Sequence, residues 1–146
     1  MFEWFGLVSY CPHTKVAEFA RHLKDGRLMG SRCRDCGRVG FPPRADCPDC
    51  RGDRFEFVEY GGGGTVVTFT RIAAAPAGFE SRVPFTVGVV DLDEGGRLLA
   101  WCGASLDEPA LAIGQRVQVV PRLLEESEAI RVHYTLEAPG TTWAKA

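Results

Sequence analysis

The residues of this chain best suited to chemistry are four cysteines in two knuckles. Cys33-Arg34-Asp35-Cys36 and Cys47-Pro48-Asp49-Cys50 are separated by the ten residues Gly37 to Asp46. A tight C-x2-C turn aims two thiolates at one point, so two such turns supply the four sulfurs of a tetrahedral metal site. Four protein thiolates leave no coordination position for water or substrate, and the spacing therefore predicts an ion that is structural and not catalytic. Tetrahedral sulfur suits zinc or iron; the short gap between the knuckles favours a ribbon holding Zn2+, with iron in a rubredoxin-like site as the competitor. The segment around the knuckles, Arg32 to Gly52, is dense in Arg, Asp, Gly and Pro and poor in large apolar residues. Metal binding has to take the place of the core this segment lacks. A disulfide framework would suit a secreted chain better.

The other candidate groups form no such constellation. Cys102 lies in the apolar run Leu98-Leu99-Ala100-Trp101-Cys102 and reads as a small buried hydrophobe. Cys11 precedes Pro12 and His13, and a Cys-His pair can activate a thiolate, although adjacency in sequence does not supply the geometry. His22 falls on the polar side of a helical pattern, and His133 shares a strand face with Arg131 and Thr135 as a polar exterior residue. There is no G-x-S-x-G, no phosphate-loop G-x-x-x-x-G-K and no H-E-x-x-H. The run Gly61 to Gly64 lacks the lysine and helix of a phosphate cradle and reads as a flexible junction.

These groups need elements to hold them. With 146 residues, 45% hydrophobic and 25% charged, the chain has the balance of a soluble globular protein with room for one core plus a small metal-stapled module. Net charge is −2 and the pI is about 5.9, which supplies no global positive field for a polyanion and counts against nucleic acid as the main partner. No apolar stretch approaches the run of about 20 residues that spans a membrane. The first residues lack a basic n-region, so a cytoplasmic location is expected.

The leader Phe2-Glu3-Trp4-Phe5-Gly6-Leu7-Val8-Ser9-Tyr10 is too short to enclose a core and must bury its rings on this chain or on a partner subunit. From Thr14, a candidate cap, Val16, Phe19, Ala20 and Leu23 recur at helical spacing until Asp25-Gly26 ends the helix. Strand patterns follow over 54–60, 65–72, 85–92, 97–103, 116–123 and 129–136, separated by Gly61 to Gly64, Asp93 to Gly96 and Ile113-Gly114-Gln115. The expected fold is mainly β: an N-terminal helix, a rubredoxin-like zinc ribbon and a small antiparallel barrel of five strands, the size of an OB-fold. The divisions are 1–28 for leader and helix, 29–60 for the ribbon, 61–138 for the OB-fold and 139–146 for a tail anchored by Trp143.

The order of a helix, CRDCGRVGFPPRADCPDC, a Gly-rich junction, TVVTFTRI, VPFTVGVVDLDEGGRLLAWC and IGQRVQV resembles the zinc-ribbon plus OB-fold acyl-CoA-associated proteins known as domain of unknown function thirty-five. The resemblance spans about Thr14 to Leu136, and its most specific stretch runs from Cys33 to Cys50 through Phe41-Pro42-Pro43-Arg44. It implies an accessory subunit of a hetero-oligomer, working beside a thiolase-like protein that carries the catalytic residues. Acetoacetyl-CoA and hydroxymethylglutaryl-CoA synthesis, steroid side-chain aldolases and anaerobic aromatic degradation are the settings it suggests. The four cysteines match the family's metal ligands one for one. The resemblance also implies a CoA thioester shared with the partner. An exposed Phe41 could pack on adenine or pantetheine beside Pro42, and the Arg44 guanidinium could fork onto phosphate; alternatively Phe41 and the prolines only stiffen the ribbon loop while Arg44 is solvated. The competing functions are a single-stranded nucleic-acid-binding OB-fold and ribbon protein, and a free-standing acyl-CoA hydrolase or transferase using Cys11.

Overall fold

The computed structural model describes residues 1–6, 12–106, 111–123 and 130–142. Leu7, Val8, Tyr10 and Cys11 of the leader, and Trp143 of the tail, lie outside that set. A 3-10 turn at Phe2–Trp4 is followed by α1 (Glu18–Lys24), β1 (Met29–Cys33), β2 (Val39–Gly40) and β3 (Phe55–Glu59). Then come β4 (Gly63–Ile72), β5 (Phe85–Leu92), β6 (Arg97–Cys102), β7 (Arg116–Leu123) and β8 (Val132–Glu137). The mainly β chain with one N-terminal helix, a cysteine ribbon and a five-stranded barrel is the architecture that the periodicities predict. No helix is long and apolar enough to cross a membrane.

α1 forms because Phe19, Ala20 and Leu23 fall on one face, where all three are buried. It is shorter than expected. Thr14 does not cap it: Ala17 stands at the cap position with no side-chain hydrogen bond, and Thr14 Oγ1 instead accepts from Val16 N at 3.5 Å. The Ala17 and Phe19 amides reach back only three residues, to Thr14 O and Val16 O, so residues 14–17 are spent in a tight lead-in turn. At the other end Arg27 N donates to His22 O at 2.8 Å while Gly26 sits at φ +76°, a left-handed stop that glycine takes without a Cβ penalty.

β1 is the centre of a three-stranded antiparallel sheet of order β2-β1-β3. The remaining strands close a barrel of order β4-β5-β6-β8-β7. The barrel is not wholly antiparallel, as the hairpin-like turns suggested: β6 and β8 run parallel, pairing Trp101 with Thr135 and Cys102 with Leu136. A ring with an odd number of strands cannot alternate direction at every seam, so closure requires one parallel contact. Buried positions alternate along β5 and the start of β6, whereas β7 and β8 bury consecutive residues at Val119 to Pro121 and Thr135 to Glu137; Leu98 and Ala100 share one core cluster with Val117, Val119 and Leu136.

The ribbon is packed against the barrel. Phe41, at 2% exposure, meets the rings of Phe19, Tyr60 and Tyr134 at centroid distances of 5.7, 5.6 and 5.6 Å. Tyr60 Oη donates to Gly95 O at 2.6 Å, tying the end of β3 to the β5–β6 turn. The glycine run is a close-packed crossing and not the flexible junction expected of it. Gly62 has φ +87°, and a β-carbon there would stand 2.5 Å from Val119 O; Gly64 lies within β4, where a β-carbon would meet Val90 and the Asp91 carbonyl. The described part of the leader packs on the chain's own body: Phe5 bridges Val132, Gly6 N donates to Val132 O at 2.9 Å, and Lys24 Nζ sits 5.3 Å from the Trp4 ring centroid.

Candidate metal centre and ribbon–barrel cleft

The two cysteine knuckles repeat one backbone pattern. Gly37 N donates to Cys33 O at 2.9 Å, and Arg51 N to Cys47 O at 3.0 Å. Each turn then closes with a left-handed residue, Gly37 at φ +79° and Arg51 at φ +62°. Cys33 N and Cys47 N are held in turn by Arg38 O and Gly52 O, both at 2.8 Å. These hydrogen bonds fix the knuckle backbones that carry the sulfurs.

The outcome is a compact tetrad. All four Sγ atoms lie within 4.8 Å of one another, with Cys33 to Cys50 and Cys36 to Cys47 both at 3.6 Å. A disulfide needs about 2.05 Å, so neither pair is bonded. A tetrahedron with metal–sulfur bonds near 2.3 Å has edges of about 3.8 Å, which is the scale of this tetrad. Backbone N–H groups of Cys50 and Asp49 aim at the Cys47 sulfur and hold its thiol down to about 7. At Cys50 the Gly52 N–H pulls in the same direction, but the neighbouring sulfurs and burial outweigh it and push the thiol up to about 12. Four thiolates this close repel one another unless a cation shares their charge, and the donor set therefore fits a tetrahedral metal ion. The ligand cysteines alternate in burial: Cys33 and Cys47 are buried, Cys36 and Cys50 exposed.

Of the residues expected at a ligand surface, the structure separates one from the rest. Phe41 is part of the core, so its ring face is not available to adenine or pantetheine; the expected exposed aromatic is corrected by the three rings that enclose it. Pro42 and Arg44 are exposed on the loop. Arg44 N donates to Ser31 Oγ at 3.1 Å, so the loop backbone is anchored to β1 while the guanidinium projects. It borders a cleft of about 380 Å³ whose ribbon wall includes Arg38, Arg44 and Pro48 and whose barrel wall includes Asp91 and Arg97. A smaller hollow of about 120 Å³ adjoins on the other side of Arg44, beside Lys15 and Phe55.

Two further groups were misread or missed from sequence. His133 is no polar exterior residue: its ring lies 5.5 Å from that of Trp101, and its Nδ1 is buried without a hydrogen-bond partner among the described residues. Burial, reinforced by Arg82 and Arg122, depresses its pKa to about 4. Glu137, at 3% exposure, accepts from Ser105 N at 3.1 Å, Thr135 Oγ1 at 2.8 Å and Arg122 Nη2 at 2.9 Å, and also from the Ser105 hydroxyl. Burial pushes its carboxyl up, and those four donors together bring it below the ordinary value. The only sequence signal for either was strand parity, which places them on one face without saying what covers that face. Cys102 is half-buried against the core, as its apolar strand suggested, and the proposed Cys11 nucleophile falls outside the described residues.

The chain has recognisable relatives. Residues 20–56 match the family model described as the rubredoxin-like zinc ribbon domain of ChsH2, and residues 57–122 the model for its C-terminal OB-fold domain. A DUF35 domain-containing scaffold protein of Methanocaldococcus jannaschii is 36% identical over 108 residues, covering 73% of this chain and 76% of that protein. The benzoylsuccinyl-CoA thiolase subunit BbsA of Thauera aromatica is 37% identical over 79 residues, covering 52% and 54%. Among solved structures, the Ltp2-ChsH2(DUF35) aldolase superposes with a TM-score of 0.71 at 25% identity, over 88% of this chain and 98% of that one.

Proposed function

This chain belongs to the DUF35 family of zinc-ribbon and OB-fold scaffold proteins, and we propose that it is the non-catalytic accessory subunit of a thiolase-fold enzyme complex. The complex acts on acyl-CoA thioesters, in 3-oxoacyl-CoA thiolysis or related carbon–carbon bond chemistry. Zn2+ at Cys33, Cys36, Cys47 and Cys50 is structural, and the CoA ester is shared between this chain and its partner. The single observation that carries the reading is the name of the 37% identical relative, a thiolase subunit, which the aldolase likeness parallels. The ribbon at 29–60 and barrel at 61–138 form the docking body in this reading, with 1–28 and 139–146 flanking it.

The geometry supports a scaffold in a specific way. The metal holds a segment that otherwise has little to bury, and Phe41 and Tyr60 fasten that segment to the barrel, so a partner meets one composite surface. Co-expression with each thiolase-fold subunit encoded by the same genome tests the proposal. One of them is expected to form a stable hetero-complex that turns over an acyl-CoA ester, while this chain alone does not. Failure of every such subunit to associate, or thioester turnover by the isolated chain that Cys11→Ala abolishes, would contradict it.

A further inference from the structure

The four sulfurs of the tetrad are not equivalent. Each knuckle has one buried and one exposed cysteine, and the exposed member comes second in both: Cys36 after Cys33, and Cys50 after Cys47. Each exposed sulfur stands 3.6 Å from the buried sulfur of the opposite knuckle, in the pairs Cys36 to Cys47 and Cys50 to Cys33. The knuckles are also tied to each other by contacts that do not pass through sulfur. Arg38 pairs with Asp49, Asp35 pairs with Arg54 just past the second knuckle, and Arg34 N donates to Arg54 O at 2.9 Å. The segment that both sulfur pairs enclose, Gly37 to Asp46, carries Phe41, whose ring is held among Phe19, Tyr60 and Tyr134. A reagent in solvent therefore meets one accessible sulfur per knuckle, and behind it a sulfur of the other knuckle placed to attack the product.

We propose that the tetrad is a site of reversible oxidation by hydroperoxides, at which two cross-knuckle disulfides, Cys36 with Cys47 and Cys33 with Cys50, take over the staple from the metal ion. The inference rests on the metal site alone and not on which partner the chain docks. The exposed Cys36 or Cys50 thiolate attacks an oxygen of the hydroperoxide; an S–O bond forms, the O–O bond breaks, and the departing alkoxide or hydroxide takes a proton from water. The buried thiolate of the opposite knuckle then attacks the oxidised sulfur, forming the S–S bond and expelling the sulfenic oxygen as hydroxide. Each pair of sulfurs thus gives two electrons to one hydroperoxide, and both pairs together consume two. Stripped of its thiolates, the site releases Zn2+ to solvent. The new bonds close nested loops across the same two knuckles, so the oxidised ribbon stays folded on the barrel without metal. A dithiol reductant restores the four thiols and with them the capacity to bind Zn2+.

The test treats the zinc-loaded full-length chain with hydrogen peroxide and follows free thiols, released zinc and disulfide-linked peptides. Zinc is expected to leave in step with the consumption of two hydrogen peroxide molecules per ion, and to rebind after dithiothreitol. Trypsin cuts after Arg32, Arg34, Arg38, Arg44 and Arg51, which leaves Cys47 and Cys50 on one peptide, Ala45 to Arg51. Cross-knuckle bonding joins that peptide both to Cys33-Arg34 and to Asp35 through Arg38, whereas bonding within the knuckles leaves it unattached. Cleavage before Asp49, between Cys47 and Cys50, then assigns the partners. Hydrogen exchange in β1 and β3 is compared among the zinc-loaded, oxidised and chelated reduced protein, and the oxidised ribbon is expected to keep protection that the chelated one loses. Retention of zinc and all four thiols under peroxide, disulfides within the knuckles, sulfinic or sulfonic acids in place of disulfides, or an oxidised ribbon no better protected than the chelated one would each overturn the inference.

Discussion

The metal knuckles set the strictest demands on single residues. Gly37 closes the first turn at φ +79°, and a β-carbon there would touch nothing within 4 Å, so its substitution cost is purely conformational. Gly37→Ala is expected to destabilise the metal-loaded protein by about 1 kcal/mol in denaturant unfolding, whereas a glycine retained for close packing would lose more, through steric overlap of the added methyl. His133 offers a test of a different kind. Its folded pKa near 4 lies below the ordinary 6.5, so the unfolded chain binds the extra proton first as pH falls. The stability gained by keeping the ring neutral is complete above about pH 6.5 and is lost progressively toward pH 4. Urea unfolding at a series of pH values should show this slope in wild type and a flatter one in His133→Phe, which keeps a ring against Trp101; equal slopes would contradict the burial argument. Neither residue's role could be read from its neighbours in sequence. Alternation put His133 on an outer strand face, and outer faces are usually wet. Here Trp101 and the adjacent strands cover it.

At the scale of elements, the decisive contact is the one between the ribbon loop and the barrel. Phe41→Ala removes a ring enclosed by Phe19, Tyr60 and Tyr134 and should cost about 3–5 kcal/mol. A ring serving only as a ligand platform would cost almost nothing on removal, so thermal or chemical unfolding separates the two roles. Tyr60→Phe deletes the hydrogen bond to Gly95 O and should cost about 1 kcal/mol. Burial together with the Glu94 charge pushes the Tyr60 phenol up to about 12, so it remains a donor even in the pH range where a free phenol ionises. Elements rich in β-branched and aromatic residues and bounded by turn residues were legible in the sequence: the expected 85–92 and 116–123 coincide with β5 and β7. The helix start was not, because a threonine can cap either a helix or a lead-in turn. The glycine run was misjudged for a related reason. Glycine permits flexibility and close approach equally, and only the position of Val119 and Asp91 across the crossing shows which is used.

For the whole molecule, ribbon and barrel depend on different forces. The barrel buries Val66, Val90, Leu98, Val117, Val119 and Leu136 in a closed ring of strands, while the ribbon has its cysteine tetrad and an aromatic seam. The four-cysteine pattern was fully legible in the sequence, since spacing alone implies convergence. The parallel seam was not, because turn residues reveal reversals and not which strands meet at closure. That Phe41 faces the barrel was equally hidden, since it depends on how the two parts dock. Chelation under reducing conditions should therefore unfold the ribbon first and expose Phe41, leaving barrel amides protected in hydrogen exchange; simultaneous loss of protection throughout would show a single cooperative unit. The measurement that bears most directly on the scaffold account is native mass spectrometry of the chain co-expressed with a thiolase-fold subunit, comparing wild type with Cys47→Ser. The account predicts a wild-type complex carrying one zinc per copy of this chain, and no complex with the variant. A thiolase-fold complex that forms undiminished with zinc-free Cys47→Ser would contradict it.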